Sequence, residues 1–512
     1  MGVWSRLTRF IKMKFSTKKN IGESDLKPDY LPLIPKYQQQ YAEEAWLSLA
    51  WARGYVPKIH DVLMTTGTGN DIVTVGAEYI AGKSPEIKVT DAEGKENDEL
   101  TKKIEEALRM TKFDQLNVKA VELSGAGGAA ALKIDLFEGI PYIRVLGANQ
   151  FWADFRNGEP YRFNFFEKIP SEKDTLNNYY LVETREILTE GNIIGGSRTF
   201  TLKTISGNDV KEIPIDKAPP DVKEFIYSSE IELNKSVAVG LSGLGAYILN
   251  NTPSNSRFPF LELGESDLSQ CHDLLLSHDY AFNMYMRELE KTKTKVAASN
   301  RLFRKMKGLD GKEEFYINPD EDYYTLFSGS LDAGQKASDL MQFIQGEFRD
   351  GNYRETMEYL AQKVVSKAGY NPNTFNLGNR DVKATEIWSL QDATVRKIEK
   401  KKRLIQNVYE KMLWDFLDLL TTGEDGISKI DDGVRIVIEF PDPMTVNLNE
   451  LSSTLSNFNN ARAMSVEEKV RLIHKEWEEE QIQEEVQRIY KENEIGTMMD
   501  PEAIGGEETR GG

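Results

Sequence analysis

The chain has 512 residues and a formal net charge of −18, with 40% hydrophobic, 10% aromatic and 29% charged residues. That composition excludes a collagenous or wholly disordered chain, and the length suggests about three to four folding units. The single cysteine, Cys271, excludes an intrachain disulfide and a multi-cysteine zinc site, while the acidity argues against coating nucleic acid by bulk attraction.

Near the N-terminus Trp4, Leu7, Phe10 and Ile11 interleave with Arg6, Arg9, Lys12 and Lys14. This reads as a basic amphipathic helix, suited to a membrane surface, or as an arm that helps assembly. It lacks the uninterrupted apolar core of a secretory signal. Residues 40–125 read as mainly helical, with apolar periodicity through EYIAGKSPEI, ELTKKIEEALRMTKF and FDQLNVKAVELS. From Ala129 to about Ile215 the period changes to two, which predicts a hairpin-rich β block with a turn at Glu138–Gly139. No residue from Ser236 to Ser256 is charged, but its apolar part, Val237–Leu249, is shorter than the roughly 20 residues a membrane helix needs. Gly240, Gly243 and Gly245 point there to strand and loop.

Ser266 then reads as the N-cap of a helix. Leu268, Cys271, Leu275, His278, Phe282, Tyr285 and Leu289 lie along one of its faces. The alternating KTKTKVAA opens a small β insertion over 291–335, with a turn at Leu309–Asp310–Gly311. Helix returns from about Ala333 to Ala368, broken at Asp350–Gly351–Asn352. The polar loop GYNPNTFNLGNRDVK leads to a long helix, Thr385–Leu420, then a strand at 433–440 and C-terminal helices opened by a capping box, Ser465 to Glu468. The glycine-rich tail is polar and reads as disordered.

The chemical motifs are weak. Gly76 to Ser84 places five residues between its glycines where a phosphate loop needs four. The glycines of Ser124–Gly128 precede a strand, which is the wrong order for a dinucleotide loop. His272 and His278 with Cys271 and Asp273 offer ligand types without ligand spacing. No catalytic residue, metal site or cofactor is therefore expected, and the chain reads as a non-enzyme. Two basic clusters stand out: Arg396, Lys397, Lys400, Lys401, Lys402 and Arg403 on the long helix, and Lys291, Lys293 and Lys295 at the start of the insertion. They would meet phosphates or a neighbouring subunit.

Four stretches, in order, resemble the portal proteins of long-tailed double-stranded DNA phages: GAEYIAGKSPEIKV (76–89), GAYILNNTPSNSRFPFLELGESDL (245–268), KAGYNPNTFNLGNRDVKATEIWS (367–389) and MSVEEKVRLIHKEWEEEQIQEEVQRI (464–489). The family's usual threonine before Ala384 is Lys383 here. The resemblance implies an α+β portal fold with an α/β wing, two stem helices flanking a small β-containing clip, a long wing helix and a helical crown, assembled as a ring. On this chain it implies a flexible basic arm (1–35), wing (36–264), first stem helix (265–290), clip (291–332), second stem helix (333–369), tunnel loop (370–383), long helix and strand (384–444) and crown with a disordered tail (445–512). The implied assembly is a homo-oligomer of about twelve subunits at a capsid vertex of the virion, built in the host cytoplasm. Double-stranded DNA would enter and leave through it without sequence readout. The implied partners are the terminase large subunit, a head-completion or connector protein, and the major capsid and scaffolding proteins, with no membrane and no cofactor. The tunnel loop would present Asn371, Asn373, Asn376, Asn379, Arg380 and Lys383 to DNA, and Lys291, Lys293 and Lys295 would sit at the stem–clip junction. The rival reading is a peripheral membrane scaffold anchored by the N-terminal helix.

Overall fold

A computed structural model describes residues 28–54, 64–137, 140–190, 193–241, 243–292, 295–299, 305–307, 313–315, 324–327, 341–344, 348–377, 384–422, 430, 433–441, 456, 464–474, 477 and 479–498. The chain divides into two compact units, 1–441 and 442–512. Helices and strands mix in the first, as the α+β reading expects.

The first unit opens with α1 (Lys36–Ala52), α2 (Thr68–Ala81), α3 (Asp98–Met110) and α4 (Phe113–Gly127). One strand, β1 (Glu86–Thr90), interrupts this stretch, which periodicity reads as mainly helical. It pairs antiparallel with β16 (Arg435–Glu439), Ile87 opposite Ile438, so Ile87 and Val89 face the core in alternation. That partner lies far along the chain, beyond the reach of local periodicity.

The expected β block is present. β2 (Ala129–Phe137) and β3 (Ile140–Gly147) form a hairpin, extended on the far side of β2 by β10 (Ala246–Asn250). A second sheet runs β4 (Phe151–Arg156), β5 (Glu159–Ile169), β6 (Asn178–Glu190), β7 (Ile193–Ser206) and β8 (Asp209–Glu212), with β9 (Ser236–Ala238) also paired to β7. The short helix α5 (Pro220–Ser228) packs Val222 and Ile226 against Ile169, Tyr179 and Leu202. Residues 29–34, expected to belong to a flexible arm reaching residue 35, are packed onto the β block. Tyr30, Leu33 and Ile34 are buried against Trp152, Phe166 and Val182, and Asp29 holds Lys168 and the Tyr180 hydroxyl. Burying three large apolar groups offsets the entropy of ordering so short a segment. The basic stretch 1–27 lies outside the described residues.

The two helices that flank the insertion are α6 (His272–Lys291) and α7 (Asp350–Lys367). Both differ from expectation in where they start. The first was expected from 265, but Ser266 uses its hydroxyl on the Ala126 carbonyl and on Leu268 N, which holds the next residues in turns until His272. The second was expected from 333, but Met341–Ile344 forms strand β15, antiparallel to β11 (Lys295–Ser299). The triplet read as a helix break, Asp350–Gly351–Asn352, is the helix start, with the Asp350 carboxylate in the first turn. The remaining strands of the insertion are β12 (Lys305–Lys307), β13 (Glu313–Phe315) and β14 (Tyr324–Phe327). β14 and β15 flank β11, and β12 pairs with β13.

α6 and α7 run antiparallel. Cys271 Sγ lies 3.6 Å from the Val364 carbonyl at one end. At the other, Tyr285 meets Asp350 and Glu288 meets Arg349 and Tyr353. The long helix α8 (Ala384–Thr421) spans 38 residues, about 57 Å at 1.5 Å per residue. Ile398, Ile405, Tyr409, Met412, Leu413, Phe416 and Leu417 are buried along one face of it, against α2, α4, β2 and β16. In the second unit Ser465 caps α9 (Val466–Ile473) through Glu468 N, and Val470 packs on Ile482 and Val486 of α10 (Glu479–Met498). Among the described residues no helix is long and apolar enough to cross a membrane.

Candidate functional site

The base of the α6–α7 pair meets α8 at a buried polar centre built on Asp267. The loop before α6 is pressed against the end of α4: Asp267 N bonds Gly125 O, and Asn251 N bonds Gly128 O. Gly128 takes φ 92, and a Cβ there would come within 2.7 Å of the Gly264 carbonyl, so glycine is required on steric grounds. This contact aims the Asp267 carboxylate inward, where it is 2% exposed. Its Oδ1 lies 2.8 Å from Lys397 Nζ and accepts from Asn251 Nδ2 at 2.9 Å. Its Oδ2 accepts from Lys401 Nζ at 2.6 Å and from the Tyr370 hydroxyl at 3.0 Å.

Lys397 and Lys401 sit four residues apart and so share one face of α8. Lys397 also donates to the Ala368 carbonyl and stands 4.0 Å from the Tyr370 ring centroid. Burial alone would raise the Asp267 pKa, but the two ammonium groups outweigh it and hold the carboxyl well below the ordinary range. Lys401 is pulled down to about 8, first by burial and then by Lys397. The centre thus joins four segments: the end of α4, the loop before α6, the residue after α7 and the middle of α8. A fifth, α2, touches it at Gly76, where a Cβ would fall 2.4 Å from the Tyr370 hydroxyl.

The expected tunnel loop begins from this centre. Asn371 N donates to Thr394 Oγ1 at 2.9 Å, and the Asn371 side chain accepts from Asn373 N, capping a short 3-10 helix, Pro372–Phe375. Phe375 stacks edge-on against Tyr370. Asn371 therefore fastens the base of the loop through its side chain, and Asn373 joins it there through its main-chain N–H. Asn376 is exposed at φ 57. Asn379, Arg380 and Lys383 lie outside the described residues.

The basic cluster of α8 splits. Lys397 and Lys401 point into the Asp267 centre, and Lys402 donates to Pro441 O at 2.9 Å. These three are engaged within the subunit, where the sequence reading gave the whole cluster to phosphates or a neighbouring subunit. Arg396, Lys400 and Arg403 are exposed and share the outward face. Where the first flanking helix meets the insertion, Lys291 closes α6 and Lys295 opens β11, but their side chains, and all of Lys293, lie outside the described residues.

A second charged centre links the two sheets of the β block. Lys133 and Asp135 on β2 face Glu183 and Arg185 on β6, each pair at strand spacing of two. Arg185 is fully buried; it bonds Glu183 Oε1 at 2.7 Å, Ile134 O at 2.9 Å, Gly245 O at 3.0 Å and the Asp135 carboxylate. Burial would raise the Glu183 pKa, but Arg185 and Lys133 bring it down to about 2. A cavity of about 460 Å³ lies beside this centre. Sequence reasoning missed both centres. The available signal was charge at core positions: Lys401 falls between Ile398 and Ile405 on the apolar stripe, and Lys133, Asp135, Glu183 and Arg185 take alternate positions in buried strands.

His272 and His278 are structural. His278 Nδ1 lies 3.1 Å from Thr66 Oγ1, and His272 Nε2 lies 2.9 Å from Ser48 Oγ, with burial pushing His272 down to about 3. Burial pushes the Cys271 thiol up to about 12, so it stays protonated. No group of three His, Cys, Asp or Glu among the described residues is placed to hold a metal.

No protein-family model and no curated protein matches the chain. Among solved structures it is similar to a chain of one described as "Virion of native gene transfer agent (GTA) particle", at 13% identity and a TM-score of 0.42, over 83% of this chain and 92% of that one.

Proposed function

We propose that the chain is the subunit of a portal ring, through which double-stranded DNA is packaged into a capsid and later released. The observation that carries this reading is the antiparallel α6–α7 pair. It carries a β insertion at its far end, and its base is locked by Asp267 to the middle of a 38-residue helix. An α-helix of 20 residues extends about 30 Å, so the insertion is held away from the β block, free to meet other proteins. In a ring of about twelve copies the pair forms the stem, the insertion the clip, and 370–383 a loop entering the channel from a fixed base. The clip docks the terminase large subunit during packaging and a head-completion or connector protein afterwards. The major capsid and scaffolding proteins hold the wing and crown at the vertex.

The ring carries no catalytic residue of its own; ATP hydrolysis belongs to the terminase. A conduit holds DNA loosely, because each tight phosphate contact slows translocation. The net charge of −18 per subunit suits a repelling wall. Contact with DNA is confined to the loop beyond Leu377, where Asn379, Arg380 and Lys383 lie, and to the lysines at the stem–clip junction.

Replacing Asn379, Arg380 and Lys383 together by glutamate tests this assignment in a packaging assay with empty capsids. Assembly should match the wild type, while packaged DNA should fall by about tenfold or more through phosphate repulsion. Wild-type packaging by an assembled variant would remove the loop from the channel.

A further inference from the structure

β10 is an edge strand. Ala246 stands opposite Lys133 of β2 and Asn250 opposite Ala129. The bonds Ile134 N to Gly245 O and Asn251 N to Gly128 O continue that register just beyond the strand. In an antiparallel ladder every second residue bonds the same neighbour. Tyr247 and Leu249 therefore turn their main chain toward β2, and Ala246, Ile248 and Asn250 turn theirs away. No strand among the described residues pairs on that side. Ala246, Ile248 and Asn250 instead line a groove of about 360 Å³. Its apolar wall includes Phe155, Ile187 and Val408, and its charges are Glu159, Glu262 and Asp415 against Lys411. An unpaired edge beside an apolar, acidic groove suits an extended basic segment.

We propose that Ile11–Phe15 of the same chain adds as a further strand to the open edge of β10. Trp4, Leu7 and Ile11 keep helical spacing, but from Ile11 on, Ile11, Met13 and Phe15 alternate with Lys12 and Lys14, which is strand periodicity. Added beside β10, this segment sets an apolar row against the groove wall and the lysines toward Glu159 and Glu262. Charge matches: residues 1–22 hold six Lys and Arg and no acidic residue. Reach matches too. Asp29 is tied to Lys168 and Tyr180 near one end of β5, and Phe155 opposes Pro160 near the other, about 27 Å away at strand rise. The stretch from Phe15 to Pro28 extends up to about 45 Å. This inference stands apart from the ring reading, since the groove lies within one subunit.

Amide hydrogen exchange on the full chain tests it against the variant Ile11→Ser, Met13→Ser, Phe15→Ser. The amides of Ala246, Ile248 and Asn250 should be protected in the wild type and exchange at least about tenfold faster in the variant, with Tyr247 and Leu249 unchanged. Equal exchange in both proteins would overturn the proposal. Zero-length cross-linking in a mixture of heavy and light isotope-labelled chains locates the arm. Links from Lys12 or Lys14 to Glu159 or Glu262 within one isotope class support it. Links found only between the two classes place the arm on a second copy and overturn the same-chain assignment.

Discussion

Asp267→Ala should destabilise the first unit by about 3–5 kcal/mol, because it leaves the Lys397 and Lys401 ammonium groups buried without their carboxylate. Both reach Asp267 within 2.8 Å, and Lys401 is 7% exposed, so water does not replace the lost partner. Urea unfolding at pH 7 measures the cost. Adding Lys397→Met and Lys401→Met to the same chain should restore most of it, since the apolar replacements remove the uncompensated charges along with the partner. A loss below about 1 kcal/mol for the single variant would mean that the centre does not hold α8 to the base of the α6–α7 pair.

Arg185→Met is the second large effect, again about 3–5 kcal/mol. The guanidinium bonds the Asp135 and Glu183 carboxylates and two backbone carbonyls in a fully buried position. Its removal leaves two carboxylates with Lys133 and, at 3.9 Å from Asp135, the partly exposed Arg198. The pH dependence follows from Glu183, whose folded pKa, about 2, lies below its ordinary value near 4.3. The unfolded chain binds more protons between those values. The contribution of Glu183 is therefore complete above pH 4.3 and is lost as pH falls toward 2, by about 3 kcal/mol. Glu183→Gln should flatten that part of the stability curve relative to the wild type; an unchanged acid limb would place the titrating group elsewhere.

These two centres also mark where sequence and structure part. The hairpin block and the long helix were legible because each is long and strongly periodic. The helix starts were not, because tertiary partners set them. Ser266 has the chemistry of an N-cap but spends its hydroxyl on the end of α4, and the strand at Met341 forms because β11 offers an edge. The basic run on α8 looked like one patch in the sequence. Helical geometry turns Lys397 and Lys401 inward and Arg396, Lys400 and Arg403 outward, and Lys401 was identifiable as a core position from its isoleucine neighbours. Its partner Asp267 was not, because the two lie 134 positions apart. Of the loop asparagines, Asn371 shows how a residue suited to a DNA-facing tip is equally suited to capping.

Direct observation of the purified full-length protein tests for the ring. Negative-stain electron microscopy, with mass measured on the same sample, should show rings with a central channel and about twelve subunits of 58.2 kDa each. A monodisperse monomer with no ring at any concentration or salt would contradict the account.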